Sequence, residues 1–308
     1  MINEKFGRRP IRPIFLHNTS SGPAFFRWQH RKTANLFRKL YPKGLYVPID
    51  RTAARQWQKD FQTGISSGCD YIYVGGGDGT INWLLPDLLE GKIPVGILPI
   101  GTGNLFARYV LGINSPSDLL ENPEKYRTKP FYPGVSDGRP FALMVGSGLD
   151  GEAIHHQSTR GKHWLGKISY PFEMFFALAR DPLPEFLVEY ENTEGVRHHE
   201  TALWAIIARS PSYFPPFTVN PGWDPWQRTL SVTLIHGKSK KALWMALVEI
   251  LTGRIPSKRI TFEKARTVEI RGNGRSQADG EEIPVPAFIT VSDKAVTFSI
   301  NPGTGSGT

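Results

Sequence analysis

The chain has 308 residues, 40% hydrophobic and 21% charged, a composition that suits about two globular domains and excludes a disordered or fibrous protein. Its one cysteine, Cys69, can form no internal disulfide, and no run reaches the ~18 apolar residues of a membrane-spanning helix. The net charge of +9 sits in the first 49 residues, where ten Lys/Arg face Glu4 alone, while the other 259 residues hold 27 charges of each sign.

Charge confined to one end, with no accompanying motif, argues against a nucleic-acid partner. The opening residues lack the apolar core of a signal peptide, so the expected location is the cytoplasm or the inner face of a membrane. PIFLHN (13–18) reads as a strand and residues 26–40 as a helix. The stretch FFRWQHRKTANLFRKLYPKG carries Arg27, Arg31, Lys32, Arg38, Lys39 and Lys43 and no acid. Such a face is either simply solvated or lies on anionic lipid, where each cation contributes about 1 kcal/mol. LYVPI (45–49) is a strand, TAARQWQKDFQTGISSG a helix, DYIYVGG a strand, and TINWLLPDLLEG a helix interrupted by Pro86. IPVGILPIG is a buried strand, and NLFARYVLG starts another helix. Strands alternating with helices imply a mostly parallel sheet.

From about residue 130 short β-like runs dominate: FALMVGSG (141–148), EFLVEYE, ALWAIIA, TLSVTLI, TVEIRG, AFITV and AVTFSI (295–300). They suggest an antiparallel second domain interrupted by helices over 165–180 and 240–253. The closing NPGTGSGT is flexible by composition.

Two glycine-rich turns follow strands of the first domain: GGGDGT, with Gly76, Gly77, Gly79 and Thr80, and GTGN, with Gly101, Thr102 and Asn104. Each falls at the carboxyl end of a parallel strand and runs into a helix N-terminus, where amide groups and the helix dipole favour phosphate. Asp78 would repel a phosphate that it faced directly. Either a metal ion lies between them, or Asp78 is a turn residue capping the helix that begins at Thr80. GKHWLGKI has Ile168 where a phosphate loop needs Ser or Thr. GSGLDG (146–151) matches the dinucleotide pattern GxGxxG, yet the acidic residue expected about 20 positions on is absent.

HNTSSG (17–22), GGGDGT (75–80), GTGNLFAR (101–108), GSGLDGE (146–152) and QADGE (277–281) occur in that order. Together they resemble the diacylglycerol kinase catalytic-domain superfamily, which includes bacterial diacylglycerol kinase-like lipid kinases, sphingosine kinases and ceramide kinases. The resemblance spans about residues 13–302. It implies an α/β plus β architecture. Residues 1–128, with a return segment 293–308, would form an α/β nucleotide-binding domain like those of NAD kinases and phosphofructokinases. Residues 129–292 would form an antiparallel β-sandwich-like lipid-acceptor domain, with the active site in the cleft between. It also implies ATP and Mg²⁺, the metal held near Asp78 and Asp150. Asp279 is the expected base for a lipid hydroxyl, with Asp78 in reserve. Read alone, the Asp279–Gly280 pair is a hairpin turn. Asn18, Ser21 and Gly22 match a turn that closes over the nucleotide phosphates, and Glu281 would position the nucleotide.

The expected reaction is ATP-dependent phosphorylation of diacylglycerol at an anionic membrane surface; ceramide or a sphingoid base is the alternative acceptor. A catalytically weak lipid-binding or regulatory protein is the alternative of a different class. The sequence is compatible with a homodimer. Against the family pattern, Thr19 replaces a proline and Leu105 an aspartate. Residues 208–232 are recast with Tyr213, Phe214, Phe217, Trp223 and Trp226, which form either a membrane-dipping rim or a packed β-sandwich corner. The apolar helix over 239–258 reads first as core packing, and the pairs His155/His156 and His198/His199 read as non-functional.

Overall fold

A computed structural model of the chain describes residues 5–6, 9–23, 27–50, 56–89, 91–159, 184–214, 217–218, 220, 223–252 and 257–303. The expected helix over 165–180 lies outside the described residues, as do the last five residues of the terminus that was expected to be flexible. The chain divides into two compact units, residues 1–131 with 294–308, and residues 132–293.

The first unit is built on strands β1 (Lys5–Phe6), β2 (Pro13–Asn18), β3 (Leu45–Ile49), β4 (Tyr71–Gly76), β5 (Val95–Pro99), β6 (Arg127–Phe131) and the last strand, β20 (Val296–Ile300). They form one sheet in the order β1-β6-β20-β5-β4-β2-β3. The pairings from β3 through β20 are parallel, and β6 and β1 close the edge antiparallel. Strands β2, β4 and β5 are buried at every position, which is why they read as unbroken apolar runs.

Helix α1 (Arg27–Leu40) buries His30, Thr33, Ala34 and Phe37, the i, i+3, i+4, i+7 stripe of a helix lying on a sheet. Helix α2 (Gln56–Ser66) buries Trp57, Phe61 and Gly64. Helix α3 (Asp78–Leu89) begins two residues before Thr80 and continues through Pro86, so the expected interruption does not occur. Ile81, Leu84, Leu85 and Leu88 hold it to the core, and that burial outweighs the backbone hydrogen bond that proline cannot donate. The helix expected over NLFARYVLG is a single π-helical turn, Phe106–Val110, before α4 (Pro116–Glu121).

Among the described residues the second unit holds thirteen strands, β7 (Gly134–Ser136), β8 (Arg139–Phe141), β9 (Met144–Ser147), β10 (Phe186–Asn192), β11 (Arg197–Ala202), β12 (Trp204–Ala208), β13 (Ser212–Phe214), β14 (Phe217–Thr218), β15 (Leu230–Ile235), β16 (Ile260–Gly272), β17 (Ser276–Ala278), β18 (Glu281–Ile283) and β19 (Ala287–Val291). All but β13 and β14 join one eleven-stranded, wholly antiparallel sheet of the β-sandwich-like kind. Its core gathers Phe141, Val145, Phe186, Val188, Ile207, Val232, Val268 and Ile289. The run FALMVGSG is two strands rather than one, broken at Ala142 and Leu143. Helices α5 (Leu149–Thr159) and α6 (Lys240–Thr252) complete the described elements.

Candidate active site

Strands β5, β4 and β2 are consecutive in the parallel sheet, so the loops at their carboxyl ends come together. Ser21 accepts the Gly77 N–H on its Oγ at 3.0 Å, and Asn18 donates from Nδ2 to Thr80 Oγ1 at 2.9 Å. These bonds tie the first turn to the second. Gly22 turns the chain at φ +78°, a backbone region that glycine enters without strain. The second and third turns touch backbone to backbone: a Cβ on Gly101 would fall 2.4 Å from the Gly77 Cα. Asn104, itself at φ 53°, closes the third turn by accepting the Gly101 N–H at 2.9 Å and donating to the Gly101 carbonyl at 2.7 Å. Thr102 is half-buried at its crest.

Asp78 is buried in the first turn of α3, and its Oδ1 accepts the Phe106 N–H at 2.9 Å. Its carboxylate therefore fastens the third loop to the second, a role that neither sequence reading contained. All the first-unit residues expected at the nucleotide are thereby brought together. Gly79 sits among them with no described atom within 4 Å of the position that a Cβ would take. Nothing in the described chain requires glycine there, so the open space beside the α3 N-terminus suits an approaching phosphate.

No group of three or more His, Cys, Asp or Glu forms a metal cage among the described residues.

In the second unit, Asp279 and Gly280 form the two-residue turn between β17 and β18, both at positive φ (48° and 92°) with Ala278 paired to Glu281. The hairpin reading is thus met, and the turn also reaches a second segment of the sheet. The Asp279 carboxylate accepts the N–H groups of Ala142, Leu143 and Met144 at 2.7, 2.9 and 2.8 Å. These bonds replace the ladder that a continuous strand would make, which accounts for the break between β8 and β9. Glu281 is exposed on β18.

Asp150 is fully buried at the start of α5, accepting the Trp204 indole N–H at 3.0 Å. A Cβ on Gly146 would fall 1.8 Å from its Oδ2, so Gly146 makes room for this carboxylate. The geometry thus packs Asp150 against Trp204 at the β9–α5 turn.

The sequence reading missed two constellations. Arg209 is wholly buried and donates to the carbonyls of Tyr132, Gln227, Thr229 and Pro225. Burial lowers its pKa to about 9, partly offset by Asp224. It gathers the 225–229 loop and stacks 5.3 Å from the Trp223 ring. Trp223 and Trp226 are accordingly buried, so these two belong to a packed corner rather than a membrane rim; the side chains of Tyr213, Phe214 and Phe217 lie outside the described residues. The only signal was an arginine directly after an apolar strand.

The second constellation is a hydrogen-bonded chain in the first unit. The Ser21 carbonyl can only accept, so His30 donates to it from Nε2 at 2.8 Å. His30 Nδ1 is then the acceptor for His17 Nε2–H at 2.8 Å, and His17 Nδ1 accepts the Tyr46 hydroxyl at 2.8 Å. Burial lowers the pKa of both imidazoles, that of His17 to about 3 with further depression from His30 and Arg38.

On α6, Leu243 and Ala246 pack inward while Trp244, Met245 and Val248 stand exposed. The expectation of core packing therefore holds for one face only. No helix among the described residues is long and apolar enough to cross a membrane.

Residues 12–131 match the model of the diacylglycerol kinase catalytic domain, and residues 143–300 that of the YegS C-terminal NAD kinase beta sandwich-like domain. A diacylglycerol kinase of Mycobacterium tuberculosis is 26% identical over 242 residues, covering 75% of this chain and 77% of its own. One from Bacillus subtilis is 31% identical over 127 residues, 40% of this chain and 41% of its own. A crystal structure of a diacylglycerol kinase from Bacillus anthracis shares the fold, with a TM-score of 0.72 at 20% identity over 96% of this chain and 99% of that one. With its three interlocked glycine turns and both domain models matched, the chain belongs to the diacylglycerol kinase catalytic-domain superfamily and is a lipid kinase.

Proposed function

We propose that this lipid kinase transfers the γ-phosphoryl group of ATP to the free hydroxyl of diacylglycerol, giving phosphatidic acid and ADP. The observation that carries the nucleotide half is the interlock of the three turns by Ser21, Asn18 and Asp78 around the open space at Gly79. The name and 75% coverage of the Mycobacterium tuberculosis relative support diacylglycerol as acceptor.

The Gly76–Thr80 and Gly101–Asn104 turns bind the phosphates through amides other than those of Gly77, Thr80 and Gly101, which are bonded within the turns, helped by the positive end of α3. Asp78 is the carboxylate that would hold Mg²⁺. Held there, the metal would supply positive charge to offset the charge that builds on the phosphates during transfer. Asp279 accepts the hydroxyl proton as the new O–P bond forms and the bond from Pγ to the ADP oxygen breaks. Three amides fix the orientation of this carboxylate. The exposed Trp244, Met245 and Val248, beside Lys240 and Lys241, support peripheral attachment to an anionic surface, where the acceptor resides.

The test is transfer of labelled γ-phosphate, with Mg²⁺, to micellar diacylglycerol, ceramide, sphingosine and phosphatidylglycerol, with wild type beside Asp279→Asn. Labelled phosphatidic acid that disappears in the variant is expected. Product from ceramide alone would reassign the acceptor, product surviving in a folded variant would remove Asp279 as base, and no product from any lipid would refute the reading.

A further inference from the structure

Beside α1 lies a groove of about 380 Å³ whose walls include His17, His30, Arg27, Arg31, Arg38 and Tyr46. No residue of the Gly76–Thr80 or Gly101–Asn104 turns lines it, so it is separate from the two glycine loops. Its charge has one sign. Helix α1 contains no acidic residue, and its three arginines in the groove have no carboxylate partner among the described residues. The Arg38 guanidinium lies 4.1 Å from the Tyr46 ring centroid, which fixes its plane.

The floor contributes no charge. His17 and His30 are buried, spend both ring nitrogens on the Tyr46–His17–His30–Ser21 chain, and are held neutral by burial. The chain also occupies the Tyr46 hydroxyl proton, so it points into the protein rather than toward a ligand. What remains is a concave surface with three guanidinium groups on one wall, a donor set that suits a tetrahedral dianion by bidentate contact. Lys32 and Lys39 lie on the same helix but do not line the groove.

We propose that this groove is a second anion site, which takes a phosphoryl group, on a lipid headgroup or as a free phosphate, among Arg27, Arg31 and Arg38. The site is independent of the acceptor lipid and of phosphoryl transfer, because its signature is binding.

Full-length protein is saturated with a non-hydrolysable ATP analogue and Mg²⁺, so that the glycine loops are occupied. It is then titrated with inorganic pyrophosphate by calorimetry, and separately sedimented with phosphatidylcholine vesicles with and without phosphatidic acid. Arg31→Gln/Arg38→Gln is compared with Lys32→Gln/Lys39→Gln, which removes equal charge from the same helix outside the groove; circular dichroism verifies both folds. The expected result is a loss of about tenfold or more in the arginine pair, the worth of one charge-assisted contact, with little change in the lysine pair. Arginine-dependent pyrophosphate binding identifies a free phosphate; arginine-dependent vesicle binding alone identifies a headgroup. Equal losses in both variants would mean diffuse attraction and overturn the site, as would binding of neither probe. If the analogue itself fails to bind, the nucleotide reading falls, and the arginine-to-lysine comparison still decides the groove.

Discussion

Replacing His17 with phenylalanine should flatten the acid side of the stability profile. His17 is 1% exposed on β2, stacked between Phe15 (4.9 Å) and His30 (5.1 Å), with Tyr46 of β3 edge-on at 5.7 Å. The groups that face it are Tyr46 from β3 and His30 and Arg38 from α1, none of them anionic, so no charge rewards a proton on its ring. Its pKa falls from 6.5 to about 3, chiefly through burial. The unfolded chain therefore binds a proton that the fold refuses. The stability linked to this residue is full above about pH 6.5 and is lost as the pH falls toward 3. With a folded value of 3 and an unfolded value of 6.5, the loss between about pH 7.5 and about pH 5.5 is about 1.4 kcal/mol. Most carboxylates stay ionised across that window, and His30, also lowered by burial, remains in both proteins. Urea unfolding followed by far-ultraviolet circular dichroism at the two pH values gives the comparison. Wild type should lose about 1.4 kcal/mol more than His17→Phe. Equal losses would refute the claim that the ring is buried and neutral.

Gly79 and Gly101 make a matched pair. Gly101→Ala places a methyl 2.4 Å from the Gly77 Cα and should destabilise the first unit and abolish nucleotide binding together. Gly79→Ala meets no described atom and should leave or raise the melting temperature, by up to about 1 kcal/mol of helix propensity, while weakening ATP binding in a calorimetric titration. Asp78→Asn keeps an oxygen for the Phe106 N–H but loses the charge; the Mg²⁺ concentration needed for half-maximal transfer should rise about 10-fold or more with the fold intact. Arg209→Met leaves four carbonyl acceptors without their donor and should cost on the order of 3–5 kcal/mol, read as a lower unfolding midpoint by tryptophan fluorescence.

The glycine turns were legible because their chemistry is local: glycine where backbones touch, Asn and Ser where a turn must be tied, and apolar strands running into them. Their mutual fastening was not, since Asp78 meets Phe106 28 residues away and Asp279 meets Leu143 across 136. The same reach hid the break inside FALMVGSG, where nothing between Ala142 and Leu143 signals an end to pairing. Pro86 misled in the opposite direction, because a local rule about helix interiors yielded to four buried aliphatic neighbours. His17 looked like an ordinary strand residue because its partners, His30 and Tyr46, come from a helix and an edge strand 13 and 29 positions on. Arg209 gave least warning of all, its acceptors being backbone carbonyls that any sequence would supply.

The position of β20 sets an order of events during synthesis. Every strand of the second unit lies between residues 134 and 291, so that unit can complete its sheet as soon as its own residues emerge from the ribosome. The first unit emerges earlier but stays open: β20 fills the place between β5 and β6, and until residues 296–300 arrive, both strands present unpaired edges. The nucleotide-binding half of the molecule, first to be translated, is thus the last to be finished, and a nascent or truncated chain that stops short of β20 carries an open, apolar β-edge that invites aggregation.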